Sequence, residues 1–232
     1  MTTKKEDFSS GQNSSIHRGP HPGIVATVFV LLFIAGLVVT GIMTHGAPFP
    51  IPYGPLETSQ KYYVQFADAV RINSFLQFGA AIPLGIFTAA VTSRLKFLGV
   101  SATGVNIALF GGIASSLFIA LSGLSGWILS QTGIANDVST MHAVQLLGFA
   151  AGGVAHVATM GLLLAGVSVT SLFGRYTPKW LGWMGLILAG ISELSTFGLI
   201  LPQAFILLPL ARFPSFIWLI GTGFTISKTA LK

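Results

Sequence analysis

The residues best placed to do chemistry are two ionisable side chains inside apolar runs, His156 and Glu193. Titratable groups at membrane depth are expensive, so they are the first place to look for a function. A turn centred near Thr177 separates them, 21 residues after His156 and 16 before Glu193. At about 1.5 Å per helical residue, the two lie within roughly 8 Å of the same depth. Gly148, Gly152 and His156 share one helical stripe at i, i+4, i+8, with Gln145 one turn earlier, and Gly185, Ala189 and Glu193 repeat the pattern. Small residues on a stripe let helices approach closely, so each stripe is expected to carry its ionisable group into a packed interface. The spacing predicts a His156–Glu193 hydrogen bond or ion pair. Such a pair can relay protons or hold a cation, and it can equally be a structural clasp.

A second polar group gathers where another apolar run begins: Asp68, Arg71, Asn73 and Gln77, with Arg212 and His45 expected on the same side. Asp68 and Arg71, at i, i+3, form a common helical ion pair. Arg71 and Arg212 offer guanidinium groups to an anion or a lipid phosphate, or simply anchor the chain at the interface.

Other chemistries lack their parts. His142 and His156 are 14 residues apart, the spacing at which one helix offers ligands to two haems, but a bis-His haem needs partners on a facing helix. His45 reaches only the level of His142, and no second histidine pair exists. Gly123-Leu-Ser125-Gly126 with His156 looks like the Ser–His dyad of rhomboid intramembrane proteases. Helical rise separates Ser125 from His156 by about 20 Å in depth, outside hydrogen-bond reach. A zinc site needs three or four ligands, and His156 with Glu193 makes two. The chain has no cysteine, which removes disulfides, thiolate metal sites and Cys nucleophiles. No cofactor and no metal is expected.

The elements that hold these residues follow from the length of hydrocarbon to be crossed, about 20 apolar residues per helix. Six segments qualify, at about 23–43, 71–93, 103–130, 139–171, 180–201 and beyond 203. In the last, Pro202, Pro209, Pro214 and Arg212 interrupt the run. Either 203–212 dips into the interface before a short span at 213–228, or one kinked helix covers both. Between the first two spans, a Pro-rich stretch (APFPIPYGP) leads into a polar segment at 56–70. There Leu56, Tyr63, Phe66, Ala67 and Val70 could form the apolar face of an interfacial helix. Short loops at 131–138 and 172–179 make the third to fifth spans antiparallel neighbours. No internal repeat points to an inverted-repeat transporter.

Composition agrees. Of 232 residues, 52% are hydrophobic and only 8% charged, against roughly 25% charged in soluble domains. The net charge of +6 does not indicate nucleic acid, because the basic residues are scattered beside apolar runs with no basic stripe. With the N-terminus inside, nine fall in cytoplasmic segments (Lys4, Lys5, Arg18, Arg94, Lys96, Arg175, Lys179, Lys228, Lys232), against three outside (Lys61, Arg71, Arg212). The positive-inside rule therefore sets the N-terminus in the cytoplasm. Residues 1–22 read as a disordered cytoplasmic tail, and the first span as an uncleaved helix. A single bundle covers 23–228, with an extracytoplasmic loop at about 45–70.

Two stretches, Thr177-Pro-Lys-Trp-Leu-Gly-Trp-Met-Gly and Leu208-Pro-Leu-Ala-Arg-Phe-Pro-Ser-Phe-Ile-Trp, resemble a broad group of uncharacterised bacterial multi-pass membrane proteins of about this length. The resemblance implies a bacterial inner membrane and carries no ligand or catalytic residue. The expectation is an all-α polytopic membrane bundle of about six spans, acting as a non-enzymatic accessory or interaction component. Its partners would be membrane lipids, itself or another membrane protein. The alternative is a small translocating protein for protons, cations or a solute, built on His156 and Glu193.

Overall fold

Backbone polar groups in hydrocarbon must be satisfied within the chain, and the apolar runs do this by forming helices. The computed structural model describes residues 17–226; most of the expected tail, and the last two residues of the bundle expected over 23–228, lie outside them. Among the described residues there is no strand. Six helical segments are long and apolar enough to cross a membrane: Pro22–Met43, Ala67–Phe97, Thr103–Leu129, Val138–Gly174, Lys179–Leu199 and Pro202–Thr225. Large side chains such as Leu31, Phe75, Phe110, Leu117 and Ile187 point outward and are well exposed. Soluble monomers do not carry such a belt. The chain is an all-α, multi-pass membrane bundle.

We number the helices α1 (Pro22–Met43), α2 (Leu56–Gln65), α3 (Ala67–Phe97), α4 (Thr103–Leu129), α5 (Val138–Phe149), α6 (His156–Gly174), α7 (Lys179–Leu194) and α8 (Leu207–Thr225). A π-helical turn, Ala150–Ala155, joins α5 to α6 into one long span. Short connections make successive spans neighbours, and α8 returns to pack on α1, so the six spans close into a ring. A Cβ at Gly223 would meet the backbone of Pro22 and Gly23, so glycine sets the closeness of that last contact. Phe29, Phe33, Leu84, Phe87, Leu163, Leu164 and Trp218 fill the interior. The Trp218 indole donates to the Leu181 carbonyl at 2.9 Å and ties α8 to α7.

Four departures from the expected elements matter for the site. First, α3 begins at Ala67 rather than 71, because Asp68 suits the positive end of a helix and extends it past the apolar run. Second, α2 buries Ser59, Tyr62 and Tyr63, whereas Leu56 is exposed. Tyr62 and Tyr63 cluster with Val70, Leu129 and Met141, so α2 caps the end of the bundle. Third, α7 tightens into a 3-10 turn, Ser195–Leu199, at its end. Fourth, the stretch 203–212 is not an interfacial dip. Pro202–Ile206 is a 3-10 turn and α8 starts at Leu207, five residues before Arg212, running on through Pro214. Pro209 falls in the first turn, where a missing N–H costs nothing. Arg212 is thereby carried inside the bundle.

Candidate functional site

The glycine stripes are both packed, but they do not face one another. On the long span, a Cβ at Gly148 would meet Ser125 and one at Gly152 would meet Ser122, both on α4. Ser122 donates to the Gly148 carbonyl at 2.9 Å. His156 continues the series onto Ser115, also on α4. On α7, Gly185 faces Ser168 of α6 and Trp218 of α8, and a Cβ at Gly161 of α6 would meet Ser192 and the Ala189 carbonyl.

His156 and Glu193 are therefore not paired. Among the described residues no hydrogen bond or ion pair joins them, and Glu193 is exposed while Ser192 takes the buried slot. The expected stripe slips by one residue at its last turn. The Glu193 carboxyl lies beside Gly161, five residues along α6 from His156, so the two groups are near in level along the helices but turned to different neighbours. No cluster of three or more His, Asp or Glu suited to a metal occurs among the described residues.

The fully buried His156 is held by Ser115 in a reciprocal clasp. Its Nδ1 lies 3.0 Å from the Ser115 carbonyl and 2.8 Å from the Ser115 hydroxyl, which itself donates to the His156 carbonyl at 2.9 Å. A carbonyl only accepts, so Nδ1 carries the proton. Such a nitrogen cannot take a proton from Ser115, and the hydroxyl is committed elsewhere. The pair joins helices and does not make a nucleophile. Ser125 donates to the Leu121 carbonyl at 2.9 Å and plays no part in it.

The second polar group divides in two. Asp68 and Arg71 pair at 3.1 Å on the surface, and Arg71 also donates to the Ser130 carbonyl at 3.0 Å. A guanidinium on the last carbonyls of α4 suits that negative helix end. The exposed ion pair itself contributes little. His45, in a left-handed turn after α1, is exposed.

Gln77 and Arg212 instead join Gln145 around a cleft of about 670 Å³ at the end of the bundle that carries residues 44–66. Phe33, Ile119, Phe149, Phe205, Leu208 and Phe213 supply much of its apolar wall. Arg212 is the sole charged residue on the lining. It donates to the Gly152 carbonyl, and its guanidinium lies over the Phe33 ring, 5.6 Å from the centroid. The π turn explains the acceptor. The His156 N–H bonds back five residues to Ala151, so the ladder is locally widened and its carbonyls are open to side-chain donors. Arg212 Nε is buried with no partner, and so is Asn73 Oδ1 nearby.

The Pro-rich stretch forms a strap across this cleft. Gln145 Nε2 donates to the Pro50 carbonyl and to the Ser59 hydroxyl, each at 3.2 Å. His142 Nε2 donates to the Pro52 carbonyl at 3.1 Å. Tyr53 stacks on Phe205, with centroids 5.5 Å apart, and meets Phe149 edge-on. Tyr63 of α2 lines the cleft; burial pushes its phenol above the ordinary tyrosine range, Tyr62 adds to the rise, and a hydrogen bond with Gln145 opposes it. The phenol is thus a neutral donor or acceptor at physiological pH.

Comparison with protein-family models, curated proteins and solved structures gives no match for this chain. Sequence reasoning found Gln145, Gln77 and Arg212 but put them in different places. It missed Ser115, Ser122 and the strap carbonyls. The spacing of Ser122 and Ser125 opposite two glycines was the available signal, and the strap carbonyls leave none, because backbone atoms have no sequence identity.

Proposed function

We propose that this protein is a non-enzymatic binding component of a bacterial inner membrane, with its N-terminus in the cytoplasm and its binding site the Arg212 cleft. The observation that carries the reading is an unneutralised guanidinium lining an otherwise uncharged cleft of about 670 Å³. Clefts of roughly 300–1,000 Å³ with few polar groups are the usual form of small-molecule sites, and helix bundles commonly hold them. Orientation is supported by Arg94, Lys96, Arg175 and Lys179 at the end opposite the cleft, and the bacterial membrane by the Pro-Lys-Trp-Leu-Gly-Trp stretch. The cleft then opens toward the extracytoplasmic side.

Native mass spectrometry of protein extracted in mild detergent tests the binding reading. A bound molecule lost on Gln77→Trp, which fills the cleft, is the expected result. Absence of any adduct, together with no thermal shift in the presence of lipids of any class, would overturn it. The chain has no cysteine, so single-cysteine variants Gly133→Cys and Arg175→Cys test orientation directly. An impermeant maleimide on intact cells should label only the first.

A further inference from the structure

We infer that the cleft takes one single-chain amphipathic anion, with its acidic head on Arg212 and its hydrocarbon chain along the apolar wall. This rests on the binding reading above and adds the chemical class of ligand. Three features of the lining select that class. The first is charge. Arg212 faces no carboxylate: among the described residues the one ion pair is Asp68–Arg71, and no Asp or Glu lines the cleft. A half-buried guanidinium with no counter-charge in a largely apolar cleft gains from an anion that pairs with it, and its planar fork fits a carboxylate or phosphate in two-point contact. Its bond to the Gly152 carbonyl leaves Nε buried and unused.

The second is the company Arg212 keeps. Asn73, Gln77 and Tyr63 line the same space, offering neutral donors to the remaining oxygens of a head group. The third is size and polarity. Apart from Tyr53, Ser74, Ser122 and Gln145, the rest of the wall is Phe, Ile, Leu, Val, Pro and Gly, which an inorganic anion would leave filled with unfavourable water. At about 30 Å³ per water-sized atom, 670 Å³ holds on the order of twenty non-hydrogen atoms. That matches one hexadecyl chain with its head. A neutral lipid would fill the volume and leave the charge unpaired. A fatty-acid carboxylate and a single-chain lipid phosphate share the required chemistry.

The test is equilibrium binding of radiolabelled palmitate to the purified full chain in nanodiscs of zwitterionic lipid. Competitors are hexadecyl phosphate, hexadecanol, acetate and inorganic phosphate. One palmitate per chain is expected, displaced by hexadecyl phosphate, with hexadecanol at least tenfold weaker and the two short anions without effect. Tighter palmitate or tighter hexadecyl phosphate assigns the head as carboxylate or phosphate, and either supports the inference. Arg212→Gln should weaken palmitate at least tenfold, while Arg71→Gln, on the surface pair, leaves it unchanged. Hexadecanol as tight as palmitate, or Arg212→Gln without effect, overturns the anion and leaves a binding cleft standing. Competition by inorganic phosphate equal to that by hexadecyl phosphate overturns the chain. No binding of any hexadecyl compound overturns this inference, while the binding reading falls only if the extracted protein also carries no adduct. The acid-against-alcohol comparison uses unaltered protein, so it decides even where Arg212→Gln does not fold.

Discussion

Two regions share the long span from Val138 to Gly174 and treat polar atoms differently. Along the seam with α4, each serine hydroxyl is spent inside the bundle: Ser115 on His156, Ser122 on Gly148, Ser125 on Leu121. Gly104, Gly111 and Gly166 bring the two backbones close enough for those short side chains to reach. In the cleft, by contrast, Arg212 has no counter-charge, Arg212 Nε and Asn73 Oδ1 are buried without partners, and prolines and aromatic rings join the glycines of the lining. The seam leaves one buried atom without a partner, the neutral His156 Nε2, whereas the cleft leaves part of a charged group unpaired; a buried charge costs more than a buried neutral atom and is retained where something else needs it. The seam therefore reads as scaffold and the cleft as site.

Substitution of glycine should separate the two regions most sharply. A Cβ at Gly166 would meet the Gly104 carbonyl and the Ala108 backbone, neither of which can swing aside. Gly166→Val should lose about 3 kcal/mol or more, or fail to accumulate in the membrane. A Cβ at Gly153, on the cleft, would meet Leu208 Cδ1 at 3.3 Å and little else. Gly153→Ala should stay within about 1 kcal/mol of the parent, since alanine favours the helix. Denaturation in mixed micelles measures both, and equal losses would break the contrast.

The clasp comes next. His156→Ala removes the imidazole with its bond to the Ser115 carbonyl and leaves a cavity at a fully buried site, for a loss of about 2 kcal/mol. Ser115→Ala keeps the Nδ1–H bond to the Ser115 carbonyl and should lose about 1 kcal/mol. A larger loss for Ser115→Ala would mean that the hydroxyl, and not the carbonyl, holds the ring. Arg212→Met carries the opposite sign. Removing an uncompensated charge should raise stability by about 1 kcal/mol in ligand-free protein, while abolishing binding. A fall would show that the Gly152 bond and the Phe33 contact outweigh the cost of keeping the charge from water.

How much of this was legible follows from what each feature depends on. Six spans were readable because hydrocarbon thickness demands a fixed length of apolar chain, and α1, α4 and α7 begin within a residue of expectation. Glycine stripes were readable as close contacts, but the spacing of Gly148, Gly152 and His156 does not say which helix lies opposite. That choice belongs to the ring order, and it gave His156 to Ser115 instead of Glu193. Arg212 looked interfacial because charge and prolines suggested a broken span; Pro209 proved compatible with a helix start, and the helix took Arg212 inward. The π turn had no signature beyond Gly152-Gly153, and its open carbonyl meets a side chain 60 residues away in sequence.

The smallest predicted effect sharpens the contrast at one helix end. Asp137 caps α5, accepting from the Ser139 and Thr140 amides and, at 2.6 Å, from the Thr140 hydroxyl. The Thr140 hydroxyl, then the Thr140 amide, holds the exposed carboxyl below the ordinary aspartate range. The native form thus binds a proton less readily than the unfolded chain. The cap contributes fully above about pH 4 and is lost as pH falls through the lowered value. Below that, amide exchange at Ser139, Thr140 and Met141 should accelerate, relative to the intrinsic rate, in the parent but change little in Asp137→Ala, which has no cap to lose. Because α5 carries His142 and Gln145, which hold the strap, the same pH drop should loosen the cleft mouth. Protection of amides around Ser115 and Gly166 should stay constant, and parallel loss at both places would mean that seam and cleft open as one unit.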